Sequence, residues 1–344
     1  MLRNRPTRRV GPRTVSASSS VIASSSGWAP TGSDARRKMA PVSKGTKKRS
    51  GRFHILVLPS ECTANLPRML AFLSIPPMRY RLTNRARPLQ DGEPAFAIPV
   101  KMLRHRHELA ATISFITRRK LFGLSYWGLQ PGYFDRMPQD SGVLVLPAVP
   151  IAELVPDATF PGDIDLLIVP YEGNELVLGR TIAIEIKIVR ASFAKQGKSP
   201  NDFGVTQATA LQNLGFPYVA IAHLIVSDQS PREAWRPAGL VRIIGPDGLA
   251  EQLPDIETDW LPADLMERSF GRMQATAPEP IGLVAAYLGP NDENLFDVAH
   301  GTWFPLCRAA QSGAKSNSAL LAAVAALVER RQDYFLDNPR YDPA

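Results

Sequence analysis

Only two cysteines, Cys62 and Cys307, occur in 344 residues, far apart and in no paired spacing. That excludes a disulfide framework and a thiolate zinc site, and it points to a reducing compartment, the cytoplasm. The longest uninterrupted apolar run, Ala319 to Val328, is ten residues. A bilayer-spanning helix needs about twice that, so no membrane span is expected. No phosphate-binding or dinucleotide-binding glycine loop is present. His105 and His107, with Glu108 beside them, lie two apart and do not share a helix face, which argues against a zinc pair. Cys307, near His300-Gly301-Thr302-Trp303, has no oxyanion element in a spacing that would make it a hydrolytic nucleophile.

Acidic residues are nearly absent from the first 52 positions, where 13 Lys+Arg meet only Asp34. That segment is +12, so the other residues, with 40 − 13 = 27 basic and 32 − 1 = 31 acidic groups, carry −4. The pI of the whole chain therefore says nothing about the body. Residues 1–52 also hold ten serines, including Ser18–Ser20 and Ser24–Ser26, and show no apolar periodicity. They read as a disordered basic arm. Such an arm serves as a charge-driven phosphate binder, an organelle transit peptide, or a passive extension preceding a start at Met39.

With 44% apolar and 21% charged residues, the body is that of a globular protein larger than one average domain. Order is expected from Phe53, with a strand over Phe53–Leu58, a helix over Leu66–Leu73, and loop over Arg79–Glu93. Leu109, Ile113 and Ile116 recur at helical spacing within Val100–Leu121, with Arg118-Arg119-Lys120 in the last turn and Gly123 as the stop. Gly142–Leu146 reads as a short strand. Asp163–Val169 and Thr181–Val189 alternate as strands around a turn at Glu172-Gly173-Asn174. Arg190–Asp202 reads as a basic loop. Phe203–Leu214 reads as a helix capped by Asn201 or Asp202 and ended by Gly215, and Tyr218–Val226 as an apolar strand covered on both faces. Further on, Leu240–Ile244 reads as a strand, Pro262–Phe270 as a helix ended by Gly271, Ile281–Leu288 as another element, and Ser318 to about Leu336 as an Ala/Leu-rich helix. The expected organisation is an arm over 1–52, an α/β domain over 53–235 with its core at about 100–227, and a partly helical region over 236–344.

One face of the second alternating strand carries Ala183, Glu185, Lys187 and Val189, and the neighbouring strand carries Asp163 and Asp165 on one side. Carboxylates inside a sheet are costly unless compensated, and a divalent cation compensates them. Asp165, Glu185 and the Ile186 carbonyl supply the oxygen ligands that magnesium, or manganese, takes. Lys187 beside them suits metal-assisted phosphodiester hydrolysis. The bland alternative is an amphipathic strand pair whose Glu185 and Lys187 face water and pair across strands.

Pro161-Gly162-Asp163-Ile164-Asp165, then Glu185-Ile186-Lys187, then Gln207, set in the order helix, strands, helix, apolar strand, resemble the PD-(D/E)XK nuclease superfamily. The resemblance implies an α/β fold whose mixed central sheet has restriction-endonuclease-like topology and is flanked by helices. It further implies a magnesium-dependent nuclease acting most naturally on DNA, a hydrolase without membrane attachment, and two copies in a homodimer if both strands are cut. Asp165 and Glu185 then bind metal, Lys187 supports the attacking water, Gln207 orients the site, and Glu108 is the candidate for a further metal ligand. The family's proline directly precedes its aspartate, whereas Pro161 precedes Gly162. Asp163 and Asp165 therefore both remain candidates, with Asp165 favoured because the apolar run Leu166–Val169 begins after it. Arg190, Lys195 and Lys198 follow the active strand and are the candidate contacts to the nucleic-acid backbone. Two other functions stand against cleavage: a nuclease fold retained for binding or regulation, and an interaction or scaffold protein using the basic tail and the C-terminal helix.

Overall fold

A computed structural model describes residues 79–82, 107–158, 160, 162–197, 201–244, 250–289, 303–313 and 316–340. The expected arm over 1–52, the strand at Phe53–Leu58 and the helix at Leu66–Leu73 lie outside the described residues, as do His105, Pro161 and Lys198. None of the described helices is long and apolar enough to cross a membrane.

The structure is α/β, with a mixed central sheet flanked by helices. After the short strand β1 (Arg79–Arg81) come two helices, α1 (His107–Thr117) and α2 (Arg119–Leu129), then a single turn, α3 (Pro131–Phe134). Strands β2 (Ser141–Pro150), β3 (Asp163–Glu172) and β5 (Ile182–Ala191) follow, with β2 and β5 both antiparallel to β3. Helix α4 (Val205–Leu214) then crosses over to β6 (Tyr218–Ser227), which runs parallel to β5 over its whole length. The chain leaves the sheet for a two-stranded ribbon, β7 (Arg236–Ile243) with β8 (Ala250–Thr258), passes through α5 (Leu261–Thr276), and returns as β9 (Gly282–Tyr287), parallel to β6. The short strands β1 and β4 (Glu175–Val177), β10 (Leu306–Arg308) and, after α6 (Ser318–Arg330), β11 (Leu336–Pro339) bring the central sheet to nine strands among the described residues. The region 236–344 thus supplies three strands to the same sheet as well as two long helices.

Alternation along the strands divides the core in two. Leu166, Ile168, Ile182, Ile184, Ile186, Ala220 and Ala222 pack beneath α1 and α2 through Phe115, Ile116, Phe122 and Leu129. The opposite side chains, among them Leu167, Ala183, Val189, Val219 and Ile221, pack beneath α4, α5 and α6 through Leu211, Met266, Met273 and Val324. Strand β6, buried on both faces between two parallel neighbours, is the apolar run that its composition demands.

Several elements outrun their sequence signals. Gly123 does not stop the helix but lies inside α2, because a mid-helix glycine costs only about 1 kcal/mol. The side chains that continue the helix, Tyr126 and Leu129, are buried and each return about 1.5–3 kcal/mol. Gly271 lies inside α5 for the same reason, with Met273 buried beyond it. Arg118-Arg119-Lys120 sits at the junction of α1 and α2 rather than at a helix end, since Arg118 leaves the helical region at φ −83, ψ 77. Helix α6 ends at Arg330, capped at its start by Asn317, whose side chain accepts from the Ala319 and Leu320 amides. Strand β2 runs on to Pro150, and Arg79–Arg81, expected as loop, is an edge strand whose Arg79 bridges Glu172 and Glu175.

Gly282 opens β9 where α2 and the Ala310 segment close over it. A Cβ there would meet Leu129 Cδ2 at 2.7 Å and Ala310 Cβ at 2.8 Å. Gly282→Ala is therefore expected to lower unfolding free energy by about 1–3 kcal/mol in urea melts; an unchanged midpoint would show that this junction yields freely.

Candidate active site

The site is built where β3 parts from β5. Their ladder pairs Ile168 with Ile182, Leu167 with Ala183 and Leu166 with Ile184, and stops there. The next facing positions are Asp165 and Glu185, on the face that carries Leu167 and Ala183. In place of a further ladder bond, the Ile186 amide donates to Asp165 Oδ2 at 2.7 Å. Both peptide groups of a strand residue point to one edge, so the Ile186 carbonyl faces the same opening. On the other side of β3, β2 pairs through Pro147–Leu166 and Val149–Ile164 but skips Ala148, which lies opposite Asp165 at φ +52. Both ladders beside Asp165 are thus interrupted at this one residue.

Glu185 is 3% exposed, and its Oε1 lies 2.6 Å from Lys187 Nζ. Above the pair runs the 3-10 turn Asn201–Gly204 that leads into α4. Gly204 is left-handed at φ +80, and a Cβ on it would meet Glu185 Cγ at 2.9 Å, so close approach and backbone conformation both call for glycine. Gly204, and not the expected Asn201 or Asp202, occupies the N-cap position of α4.

Burial and proximity set the charges. Asp165 is pushed up to about 7, first by burial and then by the Glu185 charge, against the opposing effect of the Ile186 amide and Lys187. Glu185 is raised by burial in spite of hydrogen bonds from Lys187 and the Asp165 carboxyl. Burial works against the Lys187 ammonium, yet its bond to Glu185 and the charges of Glu185, Glu108 and Asp165 prevail and raise its pKa. Lys187 therefore stays protonated near neutrality, a donor and a fixed positive charge rather than a base.

The expected residues divide. Asp165, Glu185 and Lys187 converge, and the Ile186 peptide joins them. Asp163, on the same side of β3 as Asp165, is exposed at the start of that strand. Glu108, exposed in the first turn of α1, is near enough for its charge to act on all three ionisable groups. Among the described residues no three His, Cys, Asp or Glu gather at metal-binding spacing. Gln207 lies half-buried in the first turn of α4, beyond the Gly204 approach. Arg190 leaves β5 on the face opposite Lys187, and Lys195 is exposed in a tight turn bridged to Ser192. Cys307 is half-buried, with its thiol pushed up to about 12 by burial, which suits a packing role.

His223 gave no sequence signal, because its place depends on register. It faces Lys187 across the β5–β6 ladder and is 0% exposed. Its Nε2 lies 3.2 Å from the Phe203 carbonyl, which only accepts, so Nε2 carries the proton and Nδ1 accepts from Ser269 Oγ at 2.7 Å. Burial lowers its pKa to about 4, so the ring is neutral. It also stacks on the Phe203 ring and thereby fixes the turn that covers Glu185.

Compared with models of known families, with curated proteins and with solved structures, the chain matches none.

Asp165 titrates at about 7 when folded and near its ordinary 3.8 when unfolded. Between those values the folded chain holds a proton that the unfolded chain has lost, so this group's contribution to stability falls as pH rises from about 4 to about 7. In chelator, calorimetry should show the melting temperature declining over that range. Asp165→Asn, which keeps an acceptor for Ile186 but carries no charge, should flatten the decline and gain on the order of a few kcal/mol at about pH 8. A parallel decline in parent and variant would mean that Asp165 titrates normally.

Proposed function

We propose that the protein is a divalent-cation-dependent nuclease that hydrolyses DNA phosphodiester bonds at Asp165, Glu185 and Lys187. The observation that carries this reading is the enforced meeting of a buried and a half-buried carboxyl group, both with raised pKa, at a break between neighbouring strands. A sheet gains nothing from such a pair by itself, since each buried ion costs several kcal/mol. The donor set fits magnesium or manganese: every available ligand is oxygen, from Asp165, Glu185 and the Ile186 carbonyl, and the negative charge at the opening exceeds that of the single ammonium. A bound cation supplies Lewis acidity toward a phosphodiester oxygen.

The order of elements supports the same reading. Helix, antiparallel β2–β3–β5, helix α4 and the parallel strand β6 follow the sequence on which the resemblance to PD-(D/E)XK nucleases and their restriction-endonuclease-like topology rests. DNA as substrate, and the cytoplasm as its setting, come from that resemblance and from cysteine usage.

Within the chain the roles follow from position. Asp165 and Glu185 would hold the cation and keep the opening negative. Lys187, held protonated, donates to the attacking water or to a phosphoryl oxygen and offsets the charge that grows in the transition state. The neutral His223 and the turn it anchors keep Lys187 and Glu185 in one arrangement. The observation that favours a non-cleaving fold is the Lys187–Glu185 contact, which already gives Glu185 a counter-ion.

Cleavage of plasmid and linear DNA in magnesium or manganese tests the proposal. Glu185→Gln and Lys187→Met should each lower the rate about 10²–10⁴-fold and, because each unpairs a buried group, also lower the melting temperature, while circular dichroism below the transition keeps the parental spectrum. Both variants cutting at the parental rate would remove the mechanism.

A further inference from the structure

On the face of the sheet opposite Asp165 and Glu185, α2, α3, β2 and β11 leave between them a cavity of about 490 Å³, the size of a small-molecule site. Helix α2 lines it with Arg119, Phe122, Gly123 and Tyr126, the three- and four-residue spacing of one helix face. Gly123 stands in the middle of that face. A Cβ there would meet no atom within 4 Å. Glycine is, after proline, the residue least suited to a helix interior. A larger side chain at this position would favour the helix and fill the space, and the sequence leaves that space open.

The polar groups along the lining are committed elsewhere. Arg119 donates to the Pro339 carbonyl at 3.2 Å, and Arg340 donates to the carbonyls of Phe134 and Met137. Lys120 also has a partner. The Tyr126 hydroxyl and both amide atoms of Asn338 are sealed from solvent, so neither residue offers the cavity a polar side-chain atom. Among the described residues, the side-chain surface that remains is apolar, chiefly Phe122, Phe134, Met137, Val143, Phe304 and the Tyr126 ring. The Tyr126 and Phe134 rings meet edge-on, with centroids 6.1 Å apart and planes at 68°. That arrangement offers a third ring both a face and an edge. Water is poorly held on such a wall, so an apolar ligand gains by displacing it.

We propose that this cavity binds an uncharged aromatic molecule, seated over Gly123 and held by ring contacts with Tyr126, Phe134 and Phe304 and by apolar burial. The site is independent of the cleavage chemistry assigned to Asp165 and Glu185.

Fluorescence titration of the full chain with N-phenyl-1-naphthylamine, an uncharged dye that brightens in apolar surroundings, tests this. Emission should rise to saturation at one dye per chain. Gly123→Leu, which places a side chain in the cavity, should weaken the dye about tenfold or more while the melting temperature is kept or raised. Phe304→Ala, at the half-buried edge, removes one ring. It should weaken the dye several-fold and serves as a second variant should Gly123→Leu misfold. Gly271→Ala, in α5 on the other face of the sheet, relieves a mid-helix glycine without touching the cavity and should leave the affinity unchanged. Displacing the dye should take less 2-methylnaphthalene than 2-naphthoate, because the arginines of the lining are already bonded. Four results would overturn the proposal: no saturable binding, equal affinity in parent, Gly123→Leu and Phe304→Ala, an equal loss in Gly271→Ala, or tighter binding of the naphthoate.

Discussion

Two carboxyl groups cannot occupy neighbouring positions inside a sheet unless the backbone makes room and something answers their charge. In this protein the room comes from the backbone itself. The β3–β5 ladder ends at Leu166–Ile184, one step before Asp165 and Glu185 face each other, and β2 skips Ala148 on the other flank. The Ile186 amide, released from the ladder, becomes a donor to Asp165, and the Lys187 ammonium answers Glu185. Removing either partner would leave a buried charge uncompensated, which is far more destabilising than the pair is stabilising.

The rest of the fold holds this opening fixed. Parallel pairing of β5 and β6 over ten registered positions prevents Glu185 and Lys187 from sliding, and β6 is itself held by β9. The crossover through α4 delivers the Asn201–Gly204 turn onto Glu185, and the return through α5 delivers Ser269 to His223. One neutral histidine thus joins a helix, a turn and two strands behind the charged groups. Its neutrality matters, since a second cation beside Lys187 would weaken the hold on that ammonium.

The parts of this arrangement that sequence alone disclosed are those written in alternation. Leu166–Val169, the isoleucines at 182, 184, 186 and 188, and the apolar run of β6 fixed both the strands and the face on which Asp165, Glu185 and Lys187 lie. What remained hidden was decided by partners distant in the chain. The strand at Leu336–Pro339 is polar and contains a proline. It exists because β2 pairs with it and because Tyr171 donates to the buried Asp337 at 2.7 Å. His223 is an ordinary member of an apolar run until the register sets it opposite Lys187. The preference for Asp165 over Asp163 rested on where the apolar run begins; along β3 Asp163 is exposed and Asp165 half-buried. The alternation that identified Lys187 also puts Arg190 on the other face, a consequence legible in the sequence once the strand is extended to Ala191.

The most direct measurement is the titration of the Asp165 carboxyl carbon by NMR, with and without magnesium. The account predicts a midpoint at about 7 in chelator, dropping to or below the ordinary carboxylate range at saturating magnesium, because a cation favours the ionised form that burial and Glu185 oppose. A midpoint near 4 in chelator, or one that magnesium leaves unmoved, would contradict it.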